Sequence, residues 1–258
     1  MAKILIAGDY CPYARVTSII ESEEYATIFG KIAPYTSVAD YSIVNLEVPI
    51  VDGKATPIRK CGPNLSASPK AIKAIKNAGF DMLTLANNHI YDFGEEGIAT
   101  TLEVCRNEEL DIIGGGKDIE EASKIFYKDI DGCKYAFINC CEHEFTIATK
   151  NQGGANPLNP IRQFHDINKA KKQADRIIVI VHGGHEHYQL PSPRMKETYR
   201  FFVDAGADIV VNHHQQCYTG YEKYNNGVIF YGIGNFCFDW NNKRNIPWNE
   251  GNIVFIYI

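Results

Sequence analysis

The run from Asp81 to Gly94 begins as an apolar strand pattern and ends in side chains that can do chemistry. Its polar end contains Asn88, His89 and Asp92. An amide oxygen can bind a metal, an imidazole can move a proton, and a carboxylate can orient that imidazole. Ligands of open α/β sheets bind beyond the carboxyl ends of the strands, which favours a functional site here. An Asn-rich strand end is also typical of an Asx turn, so this segment alone fits both interpretations.

Four other predicted strands also end in potential ligands. They terminate at Asp9, at Glu47, at His182, and at His213 with His214. Each of these residues alone is typical of a cap or a hydrogen-bonded surface group, but the strand ends together indicate one site. Carboxylates, an amide oxygen and imidazoles, with no required thiolate, suit Mn, Fe, Zn or a related divalent ion.

A further group of titratable side chains follows His182 in the run His-Gly-Gly-His-Glu-His. Its two glycines predict a loop, which disfavours the helical His-Glu-x-x-His motif of zinc proteases. The run contributes His185, Glu186 and His187, and the two histidines are equally interpretable as solvated side chains.

Length and composition exclude several classes of protein. A chain of 258 residues with 45% hydrophobic content can bury a large core. Apolar runs such as that from Ile177 to Val181 are too short to span a membrane. The N-terminal run, which stops at Asp9, is typical of a core strand and not of a secretory signal, so we expect a cytoplasmic location. A net charge of -5 argues against a nucleic-acid partner held by phosphate neutralisation.

The eight cysteines include no C-x-x-C pair, which predicts reduced thiols. Most of them, such as Cys140 and Cys141, are interpreted as small core residues. Cys11 is an exception because it lies two residues after Asp9.

The elements that must position these residues alternate between strands and helices. A first helix is predicted where apolar residues repeat with helical spacing. Ser68 is expected to be its N-cap and Pro69 its first helical residue, and the repeat stops at Gly79. A second helix is predicted from Glu95 to Asn107, with Ile98, Leu102 and Val104 facing inward, and a third from Ser192-Pro193 to Ala205. Strands are predicted at 3–8, 42–46, 81–86, 110–113, 135–139, 176–181, 208–211, 228–231 and 253–257.

Glycine, asparagine and proline dominate residues 151–160 and predict a surface loop. We expect the loop-rich segment near 141–160 to border the site, because strand and helix alternation continues on both sides of it. The glycine triplet 114–116 lacks a phosphate-loop pattern and predicts a turn. The whole chain, residues 1–258, is therefore expected to form a single domain.

The order of the motifs resembles the bacterial capsule-synthesis (poly-gamma-glutamate type) branch of the metallophosphatase superfamily. The resemblance spans nearly the whole chain and implies an α/β fold: the four-layer α/β/β/α sandwich of calcineurin-like metallophosphoesterases. The motifs that carry it are Gly8-Asp9, Asn45-Leu46-Glu47, Lys60 with Gly62-Pro63-Asn64-Leu65, Asn87-Asn88-His89-x-x-Asp92-x-Gly94, His182-x-Gly184-x-Glu186, Gly206-Ala207-Asp208-Ile209-Val210-Val211 followed by His214, and Tyr231-Gly232-Ile233-Gly234-Asn235-Phe236-x-Phe238-Asp239.

The same resemblance implies roles for the ligands. Asp9 would bind a first metal and Glu47 would bridge two metals, while Asn88, His182 and His214 would complete the second. The implied cofactor is one or two divalent ions, Mn, Fe, Zn or Mg, which can clamp an anionic group and activate water.

The resemblance also implies the catalytic and substrate contacts. His89 would be the general acid that protonates the leaving oxygen, and Asp92 would orient it. Lys60 and Glu186 would contact substrate. Asn235 would do so too, with a turn asparagine as the alternative.

Two motifs depart from the superfamily pattern. Its first motif is Asp-x-His and its last is His-x-His, but this chain has Asp9-Tyr10-Cys11 and His214-Gln215-Gln216. Both missing imidazoles would serve the first metal. Cys11, His213 and Gln216 are candidate substitutes, and a single-metal centre at the second position is the favoured expectation.

Three functions remain open from the sequence. The first is a metal-dependent hydrolase acting on a phosphoester or an acidic polymer precursor, in capsule or surface-polymer synthesis. The second is a metal-dependent epimerase or transferase on the same scaffold. The third is a non-catalytic accessory subunit of a polymer-assembly complex. The expected partner is a small-molecule or acidic-polymer substrate.

Overall fold

The computed structural model describes residues 1–53, 55–240 and 246–257. Its strands are β1 (Lys3–Cys11), β2 (Tyr41–Leu46), β3 (Met82–Thr84), β4 (Asp111–Ile113), β5 (Gly115–Gly116), β6 (Phe126–Ile130), β7 (Cys133–Cys141), β8 (Gly154–Ala155), β9 (Arg176–His182), β10 (Ile209–His213), β11 (Tyr221–Tyr224), β12 (Gly227–Phe230), β13 (Asn235–Phe238) and β14 (Val254–Tyr257). Its helices are α1 (Arg15–Glu21), α2 (Tyr25–Phe29), α3 (Ala33–Thr36), α4 (Lys70–Asn77), α5 (Gly94–Asn107), α6 (Ile119–Ala122), α7 (Pro160–Ala170), α8 (Pro193–Ala205) and α9 (Ile246–Asn249).

Two sheets form the centre of the fold. The first has the order β13-β1-β2-β3-β4, with β14 antiparallel to the first half of β1. The second has the order β11-β12-β10-β9-β7-β6, and its four inner strands are parallel. A short pair, β5 and β8, lies apart from both sheets.

Alternation along the strands explains the layers. In β1, Ile4 and Ile6 pack between the two sheets, while Leu5 packs on the opposite face against α4 and α5. In β9, Ile178 packs between the sheets and Val179 packs against α7 and α8. Successive strand side chains point to opposite faces, so strands covered on both faces are apolar throughout. The four-layer α/β/β/α prediction is confirmed, and these faces account for the continuous apolar runs.

The helix ends agree only in part with the predictions. The third predicted helix, from Ser192-Pro193 to Ala205, is present as α8, and the Ser192 hydroxyl caps it by accepting a hydrogen bond from the Met195 amide at 3.3 Å. The capping prediction for Ser68 was wrong, because that hydroxyl donates to the Glu21 carboxylate. Val104, which was expected to face inward, is half-buried and packs against the core, and the neighbouring Cys105 is fully buried.

The glycine triplet is more than a turn. Gly115 and Gly116 form β5 and pair with Ala155 and Gly154 of β8, which are buried. A Cβ atom on Gly115 would lie 2.8 Å from the Leu85 Cβ atom, so the close approach requires glycine. Part of the segment predicted to be a surface loop, 151–160, is therefore buried beneath the sheet edge.

Within the described ranges, no helix has both the length and the apolar character that crossing a bilayer requires.

Candidate metal centre

The polar strand ends of both sheets meet at one edge of the fold. Asp9 lies near the end of β1, Glu47 follows β2, and Asn88 follows β3 in the first sheet. His182 ends β9 and His214 follows β10 in the second sheet. All five side chains are buried, none more than 8% exposed. Parallel strands bring their carboxyl ends to one edge, so residues far apart in sequence become neighbours.

Four of these residues converge around the Nε2 atom of His182. This atom lies 3.0 Å from Asn88 Oδ1, 3.1 Å from His214 Nδ1 and 3.7 Å from Glu47 Oε1. Each of these atoms can offer a lone pair to a cation. The two Glu47 carboxylate oxygens are buried and make no hydrogen bond with any described residue. Burying an unpaired carboxylate is costly, and a divalent cation among these nitrogen and oxygen donors removes that cost, so the residues fit a metal ion.

The electrostatics match this donor set. Burial, followed by the neighbouring imidazoles, lowers the pKa of His182 well below its ordinary value. Burial is the largest cause that lowers the pKa of His214, to about 4. Both rings are therefore neutral near pH 7, the state in which histidine binds metals. Burial, and then the charge of Asp9, raises the pKa of Glu47 well above its ordinary value.

Two residues to which the sequence analysis assigned no role lie beside the ligands. The Asn45 side-chain amide donates to Asp9 Oδ1 at 2.7 Å and lies 3.3 Å from His182 Nδ1. Burial raises the pKa of Glu144, and the neighbouring Asn88 side chain opposes that rise, so Glu144 lies beside the amide whose oxygen faces His182. A signal existed for Asn45, a polar residue on a buried strand two positions before Glu47 and on the same face. No comparable signal marks Glu144, because it comes from a loop.

The loop after β10 is held in an uncommon backbone conformation. His214 has φ +83° and Gln216 has φ +53°, both in the left-handed region that favours glycine. The His214 backbone amide donates to Asp9 Oδ2 at 3.1 Å. Such strain clusters at functional sites, where the surrounding structure holds it.

The position of the first metal is less complete. Among the His, Cys, Asp and Glu side chains of the described ranges, Glu47, His182 and His214 form the group whose ligand atoms all lie within 4.8 Å of one another. Asp9 does not join this group, although its Oδ1 atom lies 3.8 Å from His182 Nδ1. The structure thus brings the second metal position together and leaves the first with few ligands.

The candidate substitutes for the first position differ in their surroundings. Burial, and then the Glu47 charge, raises the pKa of the Cys11 thiol well above its usual range. His213 directs Nε2 at the Ala7 carbonyl, 3.2 Å away. Its buried Nδ1 atom and the Gln216 Oε1 atom have no hydrogen-bond partner among the described residues.

His89 and Asp92 form a buried pair beside the four donors. The Nδ1 atom of His89 lies 2.7 Å from Asp92 Oδ2, and the Leu65 amide donates to the same oxygen at 2.8 Å. The other Asp92 oxygen pairs with Lys60, whose ammonium also lies 3.3 Å from His89 Nδ1. The Lys60 side chain is only 3% exposed, so its charge is engaged within the protein and not presented as a free contact.

A cavity of about 270 Å³ is lined by His89, Asn88 and Gln216 and by the carboxylates Glu144 and Glu186. Three aromatic rings also line it: Phe238, Trp240 and Trp248. The rest of its lining comes from His187 and from the segment that contains Lys60, Cys61, Gly62, Pro63 and Leu65. Asn235 is not among the lining residues: it begins β13, and its amide donates to the Trp248 carbonyl at 3.1 Å.

The fold is that of calcineurin-like phosphoesterases. A hypothetical protein from Thermus thermophilus superposes with a TM-score of 0.56 at 13% identity, covering 90% of this chain and 76% of its own. A 5'-nucleotidase from Candida albicans superposes with a TM-score of 0.51 at 12% identity, covering 98% of this chain and 50% of its own. At these identities the likeness shows the fold.

Residues 3–240 match the family of bacterial capsule synthesis protein PGA_cap, and the chain belongs to that family. It is 34% identical over 242 residues to the capsule biosynthesis protein CapA of Bacillus anthracis, covering 91% of this chain and 59% of that protein. It is also 34% identical over 242 residues to the PGA biosynthesis protein CapA of Bacillus subtilis (strain 168), covering 92% of this chain and 64% of that protein. The predicted family resemblance is confirmed, and the chain spans less than two thirds of either relative.

Proposed function

We propose that this protein is a metal-dependent hydrolase that cleaves a phosphoester in the synthesis of a surface polymer. The observation that carries the proposal is the convergence of Glu47, Asn88, His182 and His214. Asn88 and the paired His89 also line an open cavity next to these donors. Family membership supports the role in capsule synthesis.

The protein's own residues divide the chemistry between them. Asp92 accepts from the Nδ1 side of His89 and fixes the ring, which leaves Nε2 as the nitrogen available to a substrate in the cavity. His89 then protonates the leaving oxygen as a general acid. A divalent ion held by Glu47, Asn88, His182 and His214 supplies Lewis-acid polarisation and an activated water when bound.

We further propose one tightly held ion per chain. Four donors converge at one position, whereas the neighbouring position has a thiol at Cys11 and an amide at Gln216 in place of two imidazoles. One ion is sufficient to polarise a phosphoryl oxygen.

The test is turnover by purified protein that is stripped with a chelator and reloaded with Mn, Fe, Zn or Mg. We expect hydrolysis of p-nitrophenyl phosphate or bis-p-nitrophenyl phosphate, and a loss of about 100-fold or more in kcat for His89→Ala with unchanged metal content. The exposed His165→Ala variant is the matched control. No turnover with any metal, or full activity in His89→Ala, would overturn the proposal.

Two further measurements separate the alternative functions. Incorporation of deuterium from heavy water into a recovered substrate, dependent on His89, would favour an epimerase. Less than one equivalent of metal after purification, with no turnover, would favour an accessory subunit.

A further inference from the structure

The cavity beside the metal centre carries an excess of negative charge. Glu144 and Glu186 line it, and the charge of Glu186 acts on both Glu144 and Glu47. The Glu186 carboxylate also lies 3.7 Å from His187 Nε2. Lys60 lines the same cavity, but its charge is already paired with Asp92. A wholly anionic substrate would therefore meet two carboxylates on its way to the ion.

The aromatic wall of the cavity, formed by Phe238, Trp240 and Trp248, is suited to an organic cation. The Phe238 ring lies 5.0 Å from the Trp248 ring and 6.1 Å from the Trp240 ring, measured between centroids. The two indoles are 6.3 Å apart. Aromatic faces attract ammonium groups through their quadrupoles, most strongly when solvent is excluded.

A buried acceptor at the cavity points to the same kind of ligand. Gln216 is 4% exposed and lines the cavity, and its Oε1 atom has no hydrogen-bond partner within the described ranges. A buried carbonyl oxygen without a donor is unfavourable, and a ligand N–H group would satisfy it. Carboxylates, aromatic faces and an amide acceptor together recognise a protonated amine.

We propose that the cavity takes a phosphoester whose leaving group carries a protonated amine, with the ammonium held between Glu144, Glu186 and the aromatic wall. This inference rests on the proposed hydrolase function. Hydrolysis forms a bond between the water oxygen and phosphorus, and it breaks the bond between phosphorus and the oxygen of the leaving group. His89 protonates that oxygen and recovers a proton from the attacking water, which releases phosphate and an amino alcohol.

Binding can be measured without turnover, because both tryptophans of the chain line this cavity. We titrate the metal-loaded protein with ethanolamine hydrochloride, and with ethylene glycol as the neutral isostere, at constant ionic strength, and follow tryptophan fluorescence. We expect saturable binding of ethanolamine and at least tenfold weaker binding of ethylene glycol. Glu186→Gln, alone and combined with Glu144→Gln, should weaken ethanolamine binding tenfold or more, whereas the exposed Glu103→Gln should not change it. Equal binding of both probes, or unchanged binding by the double variant, would overturn the inference.

Turnover separates this inference from the function on which it rests. We expect kcat/KM at least tenfold higher for O-phosphoethanolamine than for ethyl phosphate, and a ratio near one in the double variant. Metal content, measured in parallel, tests whether the protein still holds the ion once Glu144 is changed. Hydrolysis of both esters without preference would contradict the amine inference and leave the hydrolase standing. Selective binding of ethanolamine with no turnover of either ester would contradict the hydrolase and support the amine site.

Discussion

The Nε2 atom of His182 lies 3.1 Å from the Nδ1 atom of His214, so two buried imidazoles direct ring nitrogens at each other. One shared proton can join the two rings. Asn88 Oδ1 and the Glu47 carboxylate would still lie next to His182 Nε2 without a partner of their own. A cation between these residues satisfies all four groups. This relationship links the strand ends of the two sheets and supports the proposed metal centre.

Removing either imidazole should therefore remove the ion. We expect His182→Ala and His214→Ala to reduce metal affinity by more than about 100-fold, since changes to residues behind the ligands alone typically cost 10- to 100-fold. Chelator competition followed by elemental analysis measures this loss. His165→Ala should retain the wild-type stoichiometry. Retention of one equivalent of metal by both ligand variants would place the ion elsewhere.

Asn45 should raise the affinity for the metal although it does not bind the ion itself. Its amide fixes Asp9 and lies beside His182 Nδ1, and its own oxygen accepts from Thr84 at 3.1 Å. We expect Asn45→Ala to lower metal affinity by about 10- to 100-fold with little change in the far-ultraviolet circular dichroism spectrum. Metal affinity equal to that of the wild type would show that Asn45 does not orient the ligands.

Lys60 should make a large contribution to stability. Its buried ammonium neutralises Asp92, and removing one partner of a buried ion pair leaves the other charge uncompensated. We expect Lys60→Met to reduce the free energy of unfolding by about 3 kcal/mol in urea titrations. Lys70→Met is the control, because Lys70 pairs with Glu23 at the surface and should contribute no more than about 1 kcal/mol. Equal effects of the two variants would contradict a buried ion pair.

Asp239 should stabilise the fold in a pH-dependent way. Arg15 donates to both of its carboxylate oxygens, at 2.9 and 2.6 Å, and holds the Asp239 pKa below the ordinary value of 3.8. An acid whose pKa is lower in the folded state than in the unfolded state stabilises the fold at pH values above its unfolded-state pKa. This stabilisation is lost as the pH falls through the folded-state pKa. We expect Asp239→Asn to cost about 1 kcal/mol near pH 7 and progressively less below about pH 4. Urea unfolding across that range tests this, and a cost that grows on acidification would contradict it.

Local sequence patterns predicted most of the layers, because the interactions that form strands and helices act between residues close together in the chain. Alternation in β1 and β9 and the cap at Ser192 depend on neighbouring residues, and the strand ends at Glu47 and His182 follow from them. Once the strands are identified, the polar residues that follow them are correctly predicted to lie at the carboxyl edge of the sheets.

Features that depend on distant parts of the chain could not be predicted in this way. Residues of β13 pair with β1 across more than two hundred positions, and this pairing carries the aromatic wall at Phe238 to the site. Glu144 reaches Asn88 from a loop, and Lys60 turns towards Asp92. No periodicity in the sequence encodes these contacts, so the shape and charge of the cavity came only from the structure.

The most direct test of the proposed metal centre is anomalous X-ray diffraction from crystals of the metal-loaded protein. We predict one strong anomalous peak per chain, bound by Glu47, Asn88, His182 and His214. Two peaks of equal height, or a peak bound by other residues, would contradict the single-ion account.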